Sequence, residues 1–357
     1  MATTTQPKNE AAWLTSEKAY PLEVKEAPFP EPVDDEIIIK VGAVAVNPVD
    51  WFLQETAFYP LSYPWILGTD AAGTVHAVGP DQHAYAVGDR VLALTPGFDT
   101  KEASGGAFQR YVKQRPPLVT KLPSNVSFAD AAVLPLATGT AAAGLFEKAH
   151  MGLRLPFVDA AEKKEDKGEK EVLLVWGAAS SVGSCAVQLA RAAGYEVWGV
   201  ASGANAGYTT EALGAARAFD YRDEGVVGKI VAAFEGRRFA GIFDAASVGG
   251  AVEACVEIAG RVKAEGRRYV ASVRMLPEEV KARLPEGVEA NWMWGSMSAK
   301  TEVGPAVFER FLPKALEDGR MKCLPRPEVV GEGLGSLQKA FDVLKGGVSA
   351  KKLVVTL

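Results

Sequence analysis

The chain has 357 residues, 48% hydrophobic and 23% charged, with a formal net charge of −5. That length accommodates two domains of an ordinary globular protein, and the acidic balance argues against a nucleic-acid partner. Cys185, Cys255 and Cys323 are widely spaced with no C-x-x-C pair, which argues against a disulfide framework and fits a reducing compartment.

The opening MATTTQPKNEAAW lacks an apolar secretory core, and no apolar stretch is read as long enough to span a bilayer. The expectation is a cytoplasmic protein with no membrane partner. Segments 36–41, 43–46, 72–79 and 88–94 are short and rich in β-branched residues, and Gly, Pro or Asp separates them, which predicts a barrel-like β domain. The aromatic stretch around 51–65 has no regular pattern and reads as a cleft-lining loop. Its Trp51, Phe58 and Tyr59 are candidates for a substrate pocket or for ordinary core. Residues 128–148 read as helix interrupted at Pro135, and 159–170 as a solvated run of mixed charge.

From 172 to about 273, strands (172–176, 196–200, 217–220, 240–245, 268–273) alternate with helices (182–193, 206–213, 225–234, 249–258). Such alternation predicts a parallel sheet with helices on both faces. A further strand is expected over 288–294, where Trp292 and Trp294 would share one face, as pocket or as core. As a sheet edge it suits a monomer or a homodimer. Helices at 303–318 and 335–345 and a strand at 352–357 complete the chain. The expected division is 1–137, 138–302 and 303–357, the last part returning to the first domain.

The turn Gly177–Gly183 leaves one apolar strand and opens an amphipathic helix, the arrangement that holds a dinucleotide pyrophosphate. Gly177 permits the tight exit and Gly183 a close helix–strand approach. Ala179, Ser180, Ser181 and Val182 supply the helix N-terminus, although Ala179 replaces the central glycine of G-x-G-x-x-G. The segment 199–205 after the second strand has no carboxylate for a ribose 2′-OH, while Ser202 and Asn205 can donate to a 2′-phosphate. NADPH is therefore the expected cofactor. No Lys or Arg stands at 203–207; Arg222 is a candidate for that charge or a surface arginine.

Val46-Asn-Pro-Val-Asp50, the 67–75 segment LGTDAAGTV, Val87-Gly-Asp-Arg-Val91, the 105–112 segment GGAFQRYV, Leu134-Pro135 with Thr140, the nucleotide turn and Lys352-Leu-Val-Val355 occur in one order. End to end, the chain resembles the zinc-independent medium-chain dehydrogenase/reductase superfamily, in its quinone oxidoreductase and fungal trans-acting enoyl reductase branch. The resemblance implies a Rossmann-type doubly wound α/β sheet plus a β-rich GroES-like barrel. The zinc-dependent branch has Cys where this chain has Asn47 and Gly-His-Glu where it has Gly68-Thr69-Asp70, and His76, His83 and His150 are scattered. No metal site is expected.

Without a Lewis acid, the implied chemistry is NADPH-dependent reduction of an activated C=C, in an enone or enoyl thioester, or of a quinone. A zinc-type alcohol dehydrogenase and a non-catalytic NADPH-binding protein are the alternatives. The resemblance puts Asn47, Pro48 and Asp50 at the nicotinamide end, although Asn-Pro is also a plain turn. It puts Thr140 near nicotinamide and substrate, or simply at a helix start. Tyr221 would lie along the adenosine or in the core. The carboxamide would meet backbone near Ser272, and Val348 and Ser349 precede a strand that returns to the cleft. Tyr59 or water would supply the proton. The expected partner is a small apolar or thioester-linked substrate, with a polyketide synthase carrier domain as the candidate protein that presents it.

Overall fold

The structure is a computed structural model that describes residues 7–95, 97–159, 171–263 and 265–357. Apart from Asp159, the charge run at 159–170 lies outside the described residues. In chain order the strands are β1 (Asn9–Leu14), β2 (Glu23–Ala27), β3 (Ile37–Ala45), β4 (Trp65–Ile66), β5 (Asp70–Val78), β6 (Arg90–Leu94), β7 (Tyr111–Gln114), β8 (Val119–Lys121), β9 (Glu171–Trp176), β10 (Glu196–Ala201), β11 (Arg217–Asp220), β12 (Arg238–Asp244), β13 (Arg268–Ser272), β14 (Val288–Trp292), β15 (Arg326–Glu332) and β16 (Lys351–Thr356). The chain divides into two compact units, Met1–Pro135 with Arg326–Leu357, and Leu136–Pro325.

The first unit is built on a sheet of order β15-β16-β3-β5-β6-β8, with β7 also paired to β3, and a smaller sheet β2-β1-β4. The two strands expected at 36–41 and 43–46 are one, β3, whose register against β5 shifts between Ile38 and Ile39 and between Val41 and Ala43. Such irregularities bend a strand and let a sheet curl. Gly73 lets β5 approach β3 closely: a Cβ there would stand 2.1 Å from the Lys40 carbonyl oxygen.

The stretch around 51–65, read as a loop, opens inside a helix, Pro48–Thr56, and is irregular only after it. Asn47 is its extended N-cap, Pro48 starts the first turn, and the Asp50 carboxylate accepts from the Asn47 amide, a reciprocal cap. Only Asp50, Leu53 and Gln54 of this helix are buried, so its apolar period is hidden among surface aromatics.

The second unit holds an all-parallel sheet of order β11-β10-β9-β12-β13-β14. The sequence order reverses where β9 meets β12, which opens a crevice at the carboxyl ends of those strands. The helix expected at 206–213 is instead a 3₁₀ turn, Gly203–Asn205, and a π-helical turn, Tyr208–Ala212. The helix at 303–318 is π-helical over Pro305–Phe311 and α-helical over Leu312–Glu317. Pro313 lies at their junction, where its missing N–H breaks the regular ladder.

β14 stops at Trp292, so Trp294 lies beyond it rather than on a shared strand face. The two rings still meet edge to face, with centroids 5.1 Å apart. The return to the first unit falls at Arg326 rather than near 303. Segment 303–325 stays with the second unit because Arg320 donates to the Phe157 and Val158 carbonyls at 2.8 and 2.7 Å, and the Lys322 amide donates to Gln188 at 2.8 Å.

Contrary to expectation, one stretch, Phe128–Phe146, is long and apolar enough to cross a bilayer by composition, but 78% of it is buried, as in a core helix. It comprises two helices, Phe128–Ala131 and Pro135–Phe146.

Candidate active site

At the end of β9, Gly177 adopts φ 75°, and the chain turns into helix Ser181–Ala192. A Cβ on Gly183 would stand 2.2 Å from the Gly177 carbonyl, so the helix can approach the turn only with glycine there. The Ser180 hydroxyl caps the helix by accepting from the Gly183 amide at 3.0 Å, and the Ser180 amide donates to Gly177. Ser180 is therefore consumed as a cap and is not a free phosphate donor. The amides of Ala179, Ser181 and Val182 make no hydrogen bond among the described residues. Three unspent donors at the positive end of a helix dipole form a cradle for a pyrophosphate.

Ser202 follows β10. It is half-buried, and its hydroxyl is unpartnered among the described residues. The Asn205 amide donates to the Ser202 carbonyl at 2.8 Å, closing the turn. The expectation of no carboxylate here fails. Asp220, at the end of neighbouring β11, accepts from the amides of Gly203 and Arg222, each at 2.9 Å. The parallel pairing of Ala201 with Asp220 brings this about, and only strand adjacency could have revealed it. Tyr221 is 48% exposed, with the Arg222 guanidinium 5.6 Å from its ring centre, which removes the core alternative.

At the end of β13 the Ser272 hydroxyl is buried against Ser247 at 2.7 Å. Its carbonyl accepts from Met293, and the neighbouring Val273 amide donates to Asp244. Those groups, expected to meet a ligand, serve a network centred on buried Asp244, which takes the amides of Ala246 and Ser247 at 3.0 and 2.9 Å. Sequence reasoning missed Asp244. Its signal was a carboxylate ending an otherwise apolar strand.

In the first unit Asn47, Asp50, Thr69, Asp70 and Lys352 form one buried polar cluster. Lys352 Nζ lies 3.0 Å from Asp70 Oδ2 and donates to Asn47 Oδ1. Asn47 Nδ2 donates to Asp70 at 2.7 Å and to Thr69 at 3.1 Å. Both amide hydrogens of Asn47 are thus spent inside the protein, so it positions this cluster and has none left for a substrate. Asp50 Oδ1 is buried with no hydrogen-bond partner. Burial pushes the Asp50 carboxyl up to about 7; the Asn47 amide and Lys352 oppose the rise and Asp70 adds to it.

Thr140 is buried in the second unit and donates to Leu136 at 2.9 Å, as a helix residue does. Trp51 and Tyr59 are half-buried against the first unit's core, the latter edge-on to Phe98, so both have a packing role. Phe58 is 53% exposed and leans on Phe52. Val348 and Ser349 are exposed in the turn before β16.

Among the described residues no group of three or more His, Cys, Asp and Glu side chains could hold a metal ion. The cluster around Asn47 also contains an ammonium, which repels a cation. These residues do not fit zinc.

Residues 33–124 match the family description "Alcohol dehydrogenase GroES-like domain", and residues 181–270 match "Zinc-binding dehydrogenase". The chain is 42% identical to Dehydrogenase pigH of Monascus ruber, over 98% of this chain and 100% of that one. It is 35% identical to Trans-enoyl reductase himH of Aspergillus japonicus, over 98% and 97%. The chain belongs to the medium-chain dehydrogenase/reductase superfamily. The crystal structure of CurK enoyl reductase shares the fold, with TM-score 0.76 at 20% identity over 98% of this chain and 99% of that one. Members of the superfamily use a nicotinamide cofactor, and the open amides at 179–182 fit its pyrophosphate.

Two expectations follow from the buried cluster. Lys352→Met leaves Asp70 charged and uncompensated, and should cost about 3–5 kcal/mol of stability. Lys352→Met with Asp70→Asn should recover much of it, as read by denaturant unfolding. For Asp50, the raised pKa means that the folded chain holds the proton more tightly than the unfolded chain. The stability this contributes is complete below about pH 4 and is lost as pH climbs through about 7. Asp50→Asn mimics the protonated form. Its melting temperature should gain on the parent's as pH rises from about 4 to about 7 and hold the difference above that.

Proposed function

We propose that this protein is an NADPH-dependent, zinc-independent reductase. In this reading it delivers hydride to the activated C=C of an enone or enoyl thioester, or to a quinone. The observation that carries the reading is the Asn47–Thr69–Asp70–Lys352 cluster. Asn47, Thr69 and Asp70 stand at the sequence positions where the zinc-dependent branch has Cys and the His-Glu pair, and the buried Lys352 ammonium is bonded to Asp70 and Asn47. A chain so built cannot polarise an alcohol oxygen with a metal there, so it suits substrates whose own carbonyl takes up charge as hydride arrives.

When bound, a nicotinamide cofactor supplies the hydride. The protein's part is to hold that cofactor still. The amides of Ala179, Ser181 and Val182 take the pyrophosphate, and the helix dipole behind them favours its charge. The unspent Ser202 hydroxyl and the Arg222 guanidinium suit a 2′-phosphate, and the exposed Tyr221 ring suits an adenine face. The relatives named as trans-enoyl reductases support a thioester-linked substrate, one that a polyketide synthase carrier domain can present.

The decisive assay follows reduced-nicotinamide absorbance with purified protein, a short 2-enoyl thioester, a simple enone and a benzoquinone. NADPH oxidation with at least one acceptor is expected, faster than with NADH and insensitive to a chelator. Tight NADPH binding without turnover of any acceptor would favour a non-catalytic role. Loss of activity to a chelator, restored by zinc, would return the alcohol dehydrogenase reading.

A further inference from the structure

Helix Ser181–Ala192 carries the open amides at one end and borders a cavity at the other. The cavity measures about 450 Å³, a size that admits a small molecule. It lies within the second unit, between the end of that helix, residues 211–214 and residues 319–322, with Phe157 beside them. Several acceptors along its walls are spent inside the protein. The Phe157 carbonyl takes Arg320, the Ala192 carbonyl takes the Phe157 amide, and Gln188 is bonded to Ser184 and Lys322. Arg320 is spent too, on Asp318 and on the Phe157 and Val158 carbonyls. Two cations are not. Arg191 gives Nη1 to the Leu213 carbonyl at 2.9 Å, and its Nε–Nη2 edge makes no hydrogen bond among the described residues. Lys322 has three hydrogens and gives one, to the Ala212 carbonyl at 3.4 Å. Neither cation is in an ion pair among the described residues.

We propose that this cavity is a second ligand site, for a small organic carboxylate with a flat apolar body. Arg191 and Lys322 are anchored on consecutive carbonyls, so their charges stand side by side. The free Nε–Nη2 edge of Arg191 is a fork that meets both oxygens of a carboxylate. Gly214 lets that guanidinium lie close against the backbone: it adopts φ 76°, and a Cβ there would stand 2.5 Å from Arg191 Cζ. The half-buried Phe157 ring, with Ala192, Ala212 and Leu213, offers an apolar wall. Glu211 is the lining's one carboxylate and has no ion pair among the described residues, while Asp318 neutralises Arg320. The groups left unneutralised sum to a single positive charge, which a monoanion matches. Ser181, beside the open amides, lies about 15 Å from Arg191 along the helix axis. Both sites can therefore be filled together, and the proposal does not depend on the reductase reading.

The test is a ligand-observed NMR titration of the full-length protein, first free and then saturated with NADPH. Benzoate is the probe. Benzyl alcohol keeps its body without the charge, and acetate and inorganic phosphate keep a charge without the body. Benzoate should bind with a roughly millimolar constant, the scale for a ligand of about ten non-hydrogen atoms, and about five-fold tighter than the other three. NADPH should leave that constant unchanged. Arg191→Gln and Lys322→Gln should each weaken benzoate roughly three- to ten-fold, and Glu211→Gln should tighten it about two- to three-fold, all less so at high salt. If the two cations only cap carbonyls, their variants lose melting temperature and keep the parent's benzoate constant, which overturns the proposal. Phosphate or benzyl alcohol binding as tightly as benzoate overturns it too, as does displacement of benzoate by NADPH. Glu211 is exposed, so Glu211→Gln keeps the proposal falsifiable should a cation variant fail to fold. Failure of NADPH to bind would count against the reductase reading alone, since the titration of the free protein stands without it.

Discussion

The ion pair between Lys352 and Asp70 is the constraint around which the first unit is arranged. Lys352 comes from the last strand, Asp70 from the start of β5, and Asn47 from the end of β3, and in the sheet these strands lie in the order β16-β3-β5. Burying two charges costs several kcal/mol per ion unless their remaining hydrogen-bonding capacity is met. Here Asn47 does much of that: its amide group donates to Asp70 and its oxygen accepts from Lys352. The same residue caps helix Pro48–Thr56. One asparagine thus couples the charge pair to the direction in which the chain leaves β3.

The second unit distributes its polar groups differently. At the first unit's cluster the buried polar atoms are mostly hydrogen-bonded to one another, with the acceptor Asp50 Oδ1 an exception. At the turn after β9, three backbone donors are left open where the helix dipole is strongest. Unspent donors at a helix N-terminus are what a charged ligand needs. Gly183 keeps them in register by letting the helix begin hard against the strand it follows. The first unit's cluster is structurally closed and the second unit's turn is open, which divides the work between setting the local electrostatics and binding.

Much of the second unit was legible because its signals are local. The apolar run of β9, the glycines at 177 and 183 and the period of helix Ser181–Ala192 all lie within some twenty consecutive residues, as a strand-turn-helix unit does. What escaped depends on partners distant in sequence. Asp220 becomes part of the Ser202 turn only because β11 lies beside β10. Nothing local to Lys352 signals its burial: β16 pairs with β3, and the carboxylate it meets is 282 positions away along the chain. Helix Pro48–Thr56 was hidden for another reason. Its start signal, Asn-Pro-x-Asp, is also a turn signal, and its exposed aromatics blur the period. Strands β1, β2 and β15 have few consecutive buried residues or a mostly exposed face, so neither apolar runs nor clean alternation announced them.

The cluster's charge also explains why aspartate at position 50 is not interchangeable with a metal ligand. Asp70 and Lys352 cancel, so the local charge is set by Asp50 alone, whose carboxyl burial has raised to about 7. Protonated, it leaves the cluster neutral, and its Oδ2 still accepts the Asn47 amide at 2.8 Å. Ionised, it adds a negative charge with one oxygen buried and unpartnered. A divalent cation could relieve that charge only by displacing Lys352, whose ammonium is already bonded to both Asp70 and Asn47. Removing the ammonium would strand Asp70, and keeping it would repel the ion. The lysine therefore does more than fill the space a metal would need: it makes the surrounding carboxylates electrostatically poor ligands.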